Sequence, residues 1–280
     1  MIVNGQAQQH LAIADRAVQY GDGCFTTIAF SNGCLEFLAA HIQRLKLACS
    51  RLYIPFDGWQ ELQSSIIESL KDTDDCVVKV IITRGQGGRG YCPNGANSAT
   101  FILSHHPYPE HYLQWQKEGI RLTLSPVQLA RQPLLAGIKH LNRLEQVLIK
   151  QALLSSNFDD AVVCDTERKI IEVSAGNLFW YKNNTWYTPD LSNAGVEGVM
   201  RNQILDVFNN KKLDHQQVSS YLDELIDAEE VFVCNSLMAI VPVASIFNPS
   251  NRRTVTYKCQ QIKYLQTIIQ NLRAKEAFKV

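Results

Sequence analysis

At 280 residues, with 46% hydrophobic and 19% charged side chains, the chain is large enough for one big globular domain or two smaller ones. Twenty-seven basic residues balance 27 acidic ones, and a formal net charge of zero argues against a protein that coats nucleic acid or an anionic membrane. No basic stretch leading into an apolar run opens the sequence, and no apolar run reaches the length of a membrane span, so neither a signal peptide nor a membrane partner is expected.

Residues 1–38 read as short strands, with Asn4-Gly5 and Ser31-Asn32-Gly33 as turns. Glycines on both sides of Asp22 mark a backbone that bends or passes close to something. Leu38, Ile42, Leu45, Cys49 and Leu52 recur at helical spacing, which predicts a helix with Arg44 beside its apolar stripe. A second helix carries Trp59, Leu62, Ile66 and Leu70 on one face. Residues 76–83 and 100–104 are strands, the first apolar enough to be buried on both faces. Two prolines and a change of character after His105 predict a linker over 106–119. It would divide a smaller N-terminal α/β domain, 1–105, from a larger C-terminal one, 120–280. The second half reads as a strand over 120–125 and a helix over 142–155 with Leu144, Val147, Leu148 and Leu154 inward. Strands at 160–164, 170–173, 177–182 and 185–188 follow, then a helix to Asn209, a strand at 229–234 and a closing helix from Tyr257 to Arg273.

The eight cysteines form no C-x-x-C pair and mostly sit in apolar runs, the pattern of reduced core thiols in a cytosolic protein rather than of a disulfide framework or a metal site. Arg84-Gly-Gln-Gly-Gly-Arg-Gly-Tyr91 lacks the Gly-Lys-Ser/Thr ending of a phosphate loop, and no amphipathic helix follows it. Two arginines among glycines suit a loop that binds a carboxylate, and equally a flexible surface turn. Gly195-Val-Glu-Gly-Val-Met-Arg201 opens a helix, where backbone N–H groups and the dipole favour an anion. Cys234-Asn-Ser-Leu-Met238 places an amide and a hydroxyl at a strand end. Lys139 precedes an amphipathic segment, and by itself reads most simply as a surface lysine. Glu172 lies between Ile171 and Val173, so strand alternation puts its side chain on the face opposite theirs.

Four stretches carry a resemblance. In order they are Asp15-Arg-Ala-Val-Gln-Tyr-Gly-Asp-Gly-Cys-Phe-Thr-Thr27, His41-Ile-Gln-Arg-Leu45, Gly137-Ile-Lys-His-Leu-Asn-Arg-Leu-Glu145, and Glu172 with Asn177-Leu-Phe179. Along nearly its whole length the chain resembles the class IV pyridoxal phosphate (PLP) dependent aminotransferase family. The resemblance implies an α/β (α+β), two-domain, fold type IV enzyme, D-amino-acid aminotransferase-like, with pyridoxal 5'-phosphate between its domains. It also implies a homodimer whose site borrows a loop from the partner chain. Lys139 would hold the cofactor's aldehyde, and Glu172 would face the pyridine nitrogen. Arg44, the N–H groups of Val199 and Met200, and the Ser236 hydroxyl would form the phosphate cup, at a position where the family often has threonine.

Three runs, Gly21–Thr27, Arg84–Tyr91 and Lys139–Glu145, look like the family's lyases rather than its transaminases. They imply cleavage of 4-amino-4-deoxychorismate to 4-aminobenzoate and pyruvate, a cytoplasmic step of folate synthesis. Arg89 would clamp a substrate carboxylate, with Asn235 and Tyr91 as helpers, and Thr27 and Lys139 would handle protons. The alternative is a transaminase of the same fold acting on D-amino or branched-chain amino acids.

Overall fold

The structure is a computed structural model describing residues 1–96 and 98–280. The chain divides into two compact units, one of residues 1–108, 138–142 and 273–280, the other of residues 109–137 and 143–272.

In the first unit, strand-forming residues concentrate in Gly23–Ser31 and Cys76–Thr83, which pair antiparallel from Gly23 opposite Thr83 to Phe30 opposite Cys76. They are the middle of a seven-stranded sheet in the order Ala277–Lys279, Cys34–Glu36, Gly23–Ser31, Cys76–Thr83, Thr100–His106, Ile2–Val3, Gln6–Ala7. Alternation along Gly23–Ser31 puts Cys24, Thr26, Ile28 and Phe30 on one face and Phe25, Thr27 and Ala29 on the other. The helices Leu38–Arg51 and Trp59–Glu68 lay Ile42, Leu45, Leu62 and Ile66 into one core with Ile28, Val78 and Val80. Fully burying each of these aliphatic side chains contributes about 1.5–3 kcal/mol. The chain's last strand returns to this sheet, and Arg273 Nε and Nη2 both donate to the Glu36 carboxylate at 2.7 Å.

The second unit holds a nine-stranded sheet. Its order runs Ile170–Val173, Asp160–Cys164, Ile120–Leu124, Ala239–Asn248, Glu230–Asn235, Asn177–Lys182, Thr185–Pro189, His215–Val218, and Arg253–Thr256 adds onto Ala239–Asn248. Leu122, Val162, Leu178, Val231, Val233 and Val241 build one cluster, and Ile149, Val163 and Ile171 belong to another.

Several expectations differ from what is observed. The stretch expected to be a linker carries the helix His111–Glu118. Lys139 groups with the first unit rather than with the C-terminal domain, because Ile138 is buried in the first core and residues 139–141 pair with the strand that starts at Gly23. A short helix, Arg16–Tyr20, stands where only strands were expected; Asp15 caps it by accepting the Ala17 N–H at 2.8 Å. Ala239–Asn248, ten residues long and paired with three strands, Ile120–Leu124, Glu230–Asn235 and Arg253–Thr256, was not foreseen. Its Pro242 reads as a strand breaker. Finally, Leu144, Val147, Leu148 and Leu154 are not inward. They are 76, 60, 56 and 77% exposed, and only Ile149 of the helix Leu144–Leu153 is buried. Helical spacing defines a face but not what covers it.

Candidate active site

Lys139 is placed by backbone pairing. Phe25 N donates to Lys139 O and Leu141 N to Gly23 O, each at 3.0 Å, so residues 139–141 run as an added antiparallel segment beside Gly23–Phe25. Gly23 has to be glycine here, since a Cβ would meet Leu141 Cδ1 at 2.7 Å and the Thr83 backbone at 3.2 Å. The half-buried Lys139 Nζ sits 4.6 Å from the centre of the Phe25 ring, a cation–π contact, and Lys79 Nζ lies 5.3 Å from the same ring. Thr27 shares the Phe25 face of the strand.

The other strand face serves Arg44. Helical spacing puts His41 and Arg44 one turn apart on Leu38–Arg51, both beside fully buried Thr26. Arg44 Nη2 donates to Thr26 Oγ1, so the hydroxyl's own proton goes to His41 Nδ1 at 2.6 Å. That network assigns the imidazole proton to Nε2. Burial first, then the charges of Arg44 and Lys139, hold the His41 imidazole well below its ordinary value, so it is neutral at pH 7. Burial pulls Arg44 down to about 10, which still leaves it a cation. Arg44 Nε and His41 Nε2 have no hydrogen-bond partner among the described residues. A buried donor left unmatched costs about 1–3 kcal/mol, which an anion at this guanidinium would offset.

Arg89 and Tyr91 lie on an exposed hairpin of Gly87–Arg89 and Cys92–Ala96. Neither is held by its own side chain in a core: Tyr91 is 88% exposed.

In the second unit, Glu172 lies on the edge strand of the sheet, yet all four residues of that strand are buried, so its carboxylate is not a solvated surface charge. Its Oε2 accepts Val196 N–H at 2.9 Å and its Oε1 accepts Gln146 Nε2 at 3.4 Å. Arg143 is a nearby countercharge: burial lowers that guanidinium, and the Glu172 and Glu145 charges oppose the shift. Asn177 Nδ2 takes the other side of the same peptide, donating to Val196 O at 2.8 Å. Two buried side chains thus fix residue 196. Gly195, at φ +86°, leaves room for this, as its Cβ would meet Ile171 Cγ2 at 2.5 Å and Glu172 Oε2 at 3.3 Å.

That clamp sets the start of the helix Val199–Lys211. Its cap, Gly198, has no side chain to cover the first turn, and the Val199 and Met200 N–H groups meet no acceptor among the described residues. Behind them Arg201 is 3% exposed; its Nη2 donates to Pro189 O and Gln217 Oε1, both at 2.9 Å, while its Nε is unmatched. An open helix start backed by a guanidinium suits an anion. Ser236 is half-buried in the turn after Glu230–Asn235. Asn235, expected to help bind the substrate, also orders a turn: its Oδ1 accepts Leu237 N at 2.9 Å and Met238 N at 2.8 Å, and its Nδ2 donates to Ala175 O at 2.9 Å. It shapes the turn that carries Ser236.

Lys139 and Arg44 thus flank the strand Gly23–Ser31 in the first unit, one beside Phe25 and the other beside Thr26, and both charges act on His41; Thr26 and His41 had no expected role. Glu172, Val199 and Met200 come together in the second, with Asn177 as the residue passed over. The available signal was a polar side chain opening an otherwise apolar strand, as Asn177 does, or alternation, which separates Thr26 from Thr27. Among the described residues no group of His, Cys, Asp and Glu could hold a metal ion, and no helix is long and apolar enough to cross a membrane.

The comparisons agree with one another. The profile of the amino-transferase class IV family matches residues 23–246. The chain is 41% identical to the aminodeoxychorismate lyase of Vibrio harveyi over 89% of this chain and 92% of that one. It superposes on the crystal structure of 4-amino-4-deoxychorismate lyase from Pseudomonas aeruginosa with a TM-score of 0.87 at 35% identity, covering 96% of this chain and 98% of that one. The Escherichia coli branched-chain amino acid aminotransferase gives a TM-score of 0.85 at 19% identity, covering 98% and 94%, and shows the shared fold alone. With the profile spanning most of the sequence and the fold matching throughout, the chain belongs to the class IV aminotransferase family.

Proposed function

We propose that this protein is a PLP-dependent aminodeoxychorismate lyase. It splits 4-amino-4-deoxychorismate into 4-aminobenzoate and pyruvate for folate synthesis, as a cytoplasmic homodimer. The observation that carries this reading is the 41% identity to the Vibrio harveyi lyase, against 25% to the D-alanine aminotransferase of Bacillus licheniformis over a similar span.

The residues present fit the cofactor. Each unit offers donors that would suit a phosphate: the unmatched Arg44 Nε in the first, and in the second the open start of Val199–Lys211 with the Ser236 hydroxyl beside Asn235's turn. Bound PLP supplies an aldehyde for the substrate amine and a protonated ring that stores an electron pair. Glu172, fixed through Val196, would hold a proton at the ring nitrogen. Lys139 Nζ would hold the aldehyde and, once the substrate amine has taken its place, would accept the proton from the substrate carbon that bears nitrogen. The ring C–O bond would then break as the substrate ring becomes aromatic, and the released enolpyruvate would take up a proton to become pyruvate. Thr27, on the same strand face as Phe25, protonates or anchors the departing group. Arg89, with Tyr91 beside it, pairs with a substrate carboxylate.

Two observations support the remaining parts. All eight cysteines are free, even Cys24 and Cys49 with sulfurs 3.9 Å apart, which suits a reducing compartment. The exposed apolar face of Leu144–Leu153 suits burial against a second copy. Leu148→Glu should lower the sedimenting mass, and an unchanged mass would remove this face from the interface.

The functional test is purified protein with 4-amino-4-deoxychorismate. Pyruvate and 4-aminobenzoate should accumulate in equal amounts. Absence of either product contradicts the lyase, while borohydride-trapped cofactor on Lys139 tests the cofactor reading separately.

A further inference from the structure

The hairpin that carries Arg89 has almost no core of its own. Its strands, Gly87–Arg89 and Cys92–Ala96, pair only with each other and are exposed, and Gly85, Gly87, Gly88, Gly90 and Gly95 all have positive φ. Such a segment loses much conformational entropy on ordering. One buried side chain gathers it. Arg16, 4% exposed, directs Nη1 to Gly90 O at 3.0 Å, Gly87 O at 3.4 Å and Cys92 O at 3.5 Å, and Nη2 to Tyr91 O at 3.3 Å. Its Nε donates to Asp22 Oδ2 at 2.8 Å. The two N–H groups of Nη1 thus share three hairpin carbonyls, Nη2 reaches a fourth, and Nε is taken by Asp22.

The surroundings aim this fork. Asp22 also accepts from Arg84 Nε at 2.7 Å and Nη2 at 3.0 Å, and Arg84 in turn donates to Leu52 O at 2.8 Å and Tyr53 O at 2.5 Å. Tyr20 stacks under the Arg16 guanidinium at 4.9 Å, and its ring lies 5.5 Å from that of Tyr91. At Gly88, φ +77°, a Cβ would meet Cys92 O at 2.5 Å and Arg16 Nη1 at 2.9 Å, so a side chain there would disturb both the hairpin carbonyl and the arginine it receives.

We propose that Arg16 is a positioning residue for substrate binding: it clasps the glycine-rich hairpin by its carbonyls and so presents Arg89 to a substrate carboxylate. This inference rests on the lyase reading and on Arg89 as the carboxylate clamp. Arg16 itself touches no reacting atom. Lysine cannot replace it, because an ammonium keeps the Asp22 ion pair but offers three donors from a single point.

The test uses the holoenzyme and two variants that perturb the clasp differently, Arg16→Lys and Gly88→Ala. Both should raise KM for 4-amino-4-deoxychorismate by roughly tenfold while kcat stays within about threefold, the signature of lost uniform binding. Both should also speed tryptic cleavage after Arg89 with cofactor absorbance unchanged. Wild-type KM and cleavage rates in both variants would overturn the proposal, and so would a loss confined to kcat or to cofactor occupancy, which marks a merely structural role. Arg89→Gln with an unchanged KM would overturn the clamp on which the proposal rests. If the wild type makes no pyruvate, the lyase reading fails by itself, and unchanged cleavage rates in both variants would then still reject the clasp.

Discussion

The Arg44 cluster and the Gly87–Ala96 hairpin are both cationic sites of the first unit, and they are built in opposite ways. Arg44 projects from a 14-residue helix onto the central strand of a sheet, and its neighbours Thr26 and His41 are fully buried. The hairpin is exposed, rich in glycine and gathered by a single guanidinium. The contrast teaches where rigidity is needed. On the proposed reading, a phosphate of fixed shape would be met by groups locked through packing, and a substrate that enters and leaves at every turnover by a segment with little core to hold it.

Experiments can break this comparison at different depths. Lys139→Ala should have the largest effect, lowering turnover more than about a thousandfold in the product assay, since it removes the amine proposed to hold the cofactor and move the substrate proton; retained turnover would remove Lys139 from the chemistry. Glu172→Gln should lower kcat by about a hundredfold or more with KM little changed, because the ring nitrogen loses its carboxylate and Arg143 its countercharge.

On the rigid side, Arg44→Gln should weaken cofactor affinity by about 10- to 100-fold, read from cofactor absorbance on dilution. The adjacent threonines sharpen the point. Thr26→Val should cost about fivefold to tenfold in cofactor affinity by removing the hydroxyl that joins Arg44 to His41, while Thr27→Val should leave cofactor affinity alone and slow turnover. Reversal of that pattern would mean that the two strand faces have been assigned the wrong way round.

The smallest effect is on stability. His41 is held neutral in the fold, whereas in the unfolded chain it titrates near its ordinary value of about 6.5. Below that pH the unfolded chain takes up a proton that the folded one refuses, so stability falls as pH drops from about 6.5 towards the folded value. One such group contributes at most about 1.4 kcal/mol per pH unit. His41→Asn should flatten the fall of Tm between pH 7 and 5, and identical slopes in both proteins would contradict a neutral buried imidazole.

Much of the first unit was legible because its signals are local. The stripe from Leu38 to Cys49 and the alternation in Gly23–Ser31 specify a helix and a half-buried strand without help from distant residues. What was illegible depends on partners far along the chain. Lys139 is held by Phe25 and Leu141 by Gly23, pairings more than a hundred residues apart, so only family resemblance singled that lysine out. Ala239–Asn248 lies between neighbours on both sides, which outweighs Pro242. The apolar stripe of Leu144–Leu153 was visible, but no local rule says whether such a face meets the core or a second copy. Arg16 read as one charge in a motif, and its task emerges only where four carbonyls converge on it.

The most direct measurement compares two reactions of one purified sample. It sets kcat/KM for pyruvate release from 4-amino-4-deoxychorismate against kcat/KM for amino transfer from D-alanine, or a branched-chain amino acid, to a 2-oxo acid. The lyase reaction should exceed the transfer by at least about a hundredfold, a ratio within reach of a site built around polar substrate groups. Amino transfer equal to or faster than pyruvate release would contradict the central claim and make the protein a transaminase of the same fold.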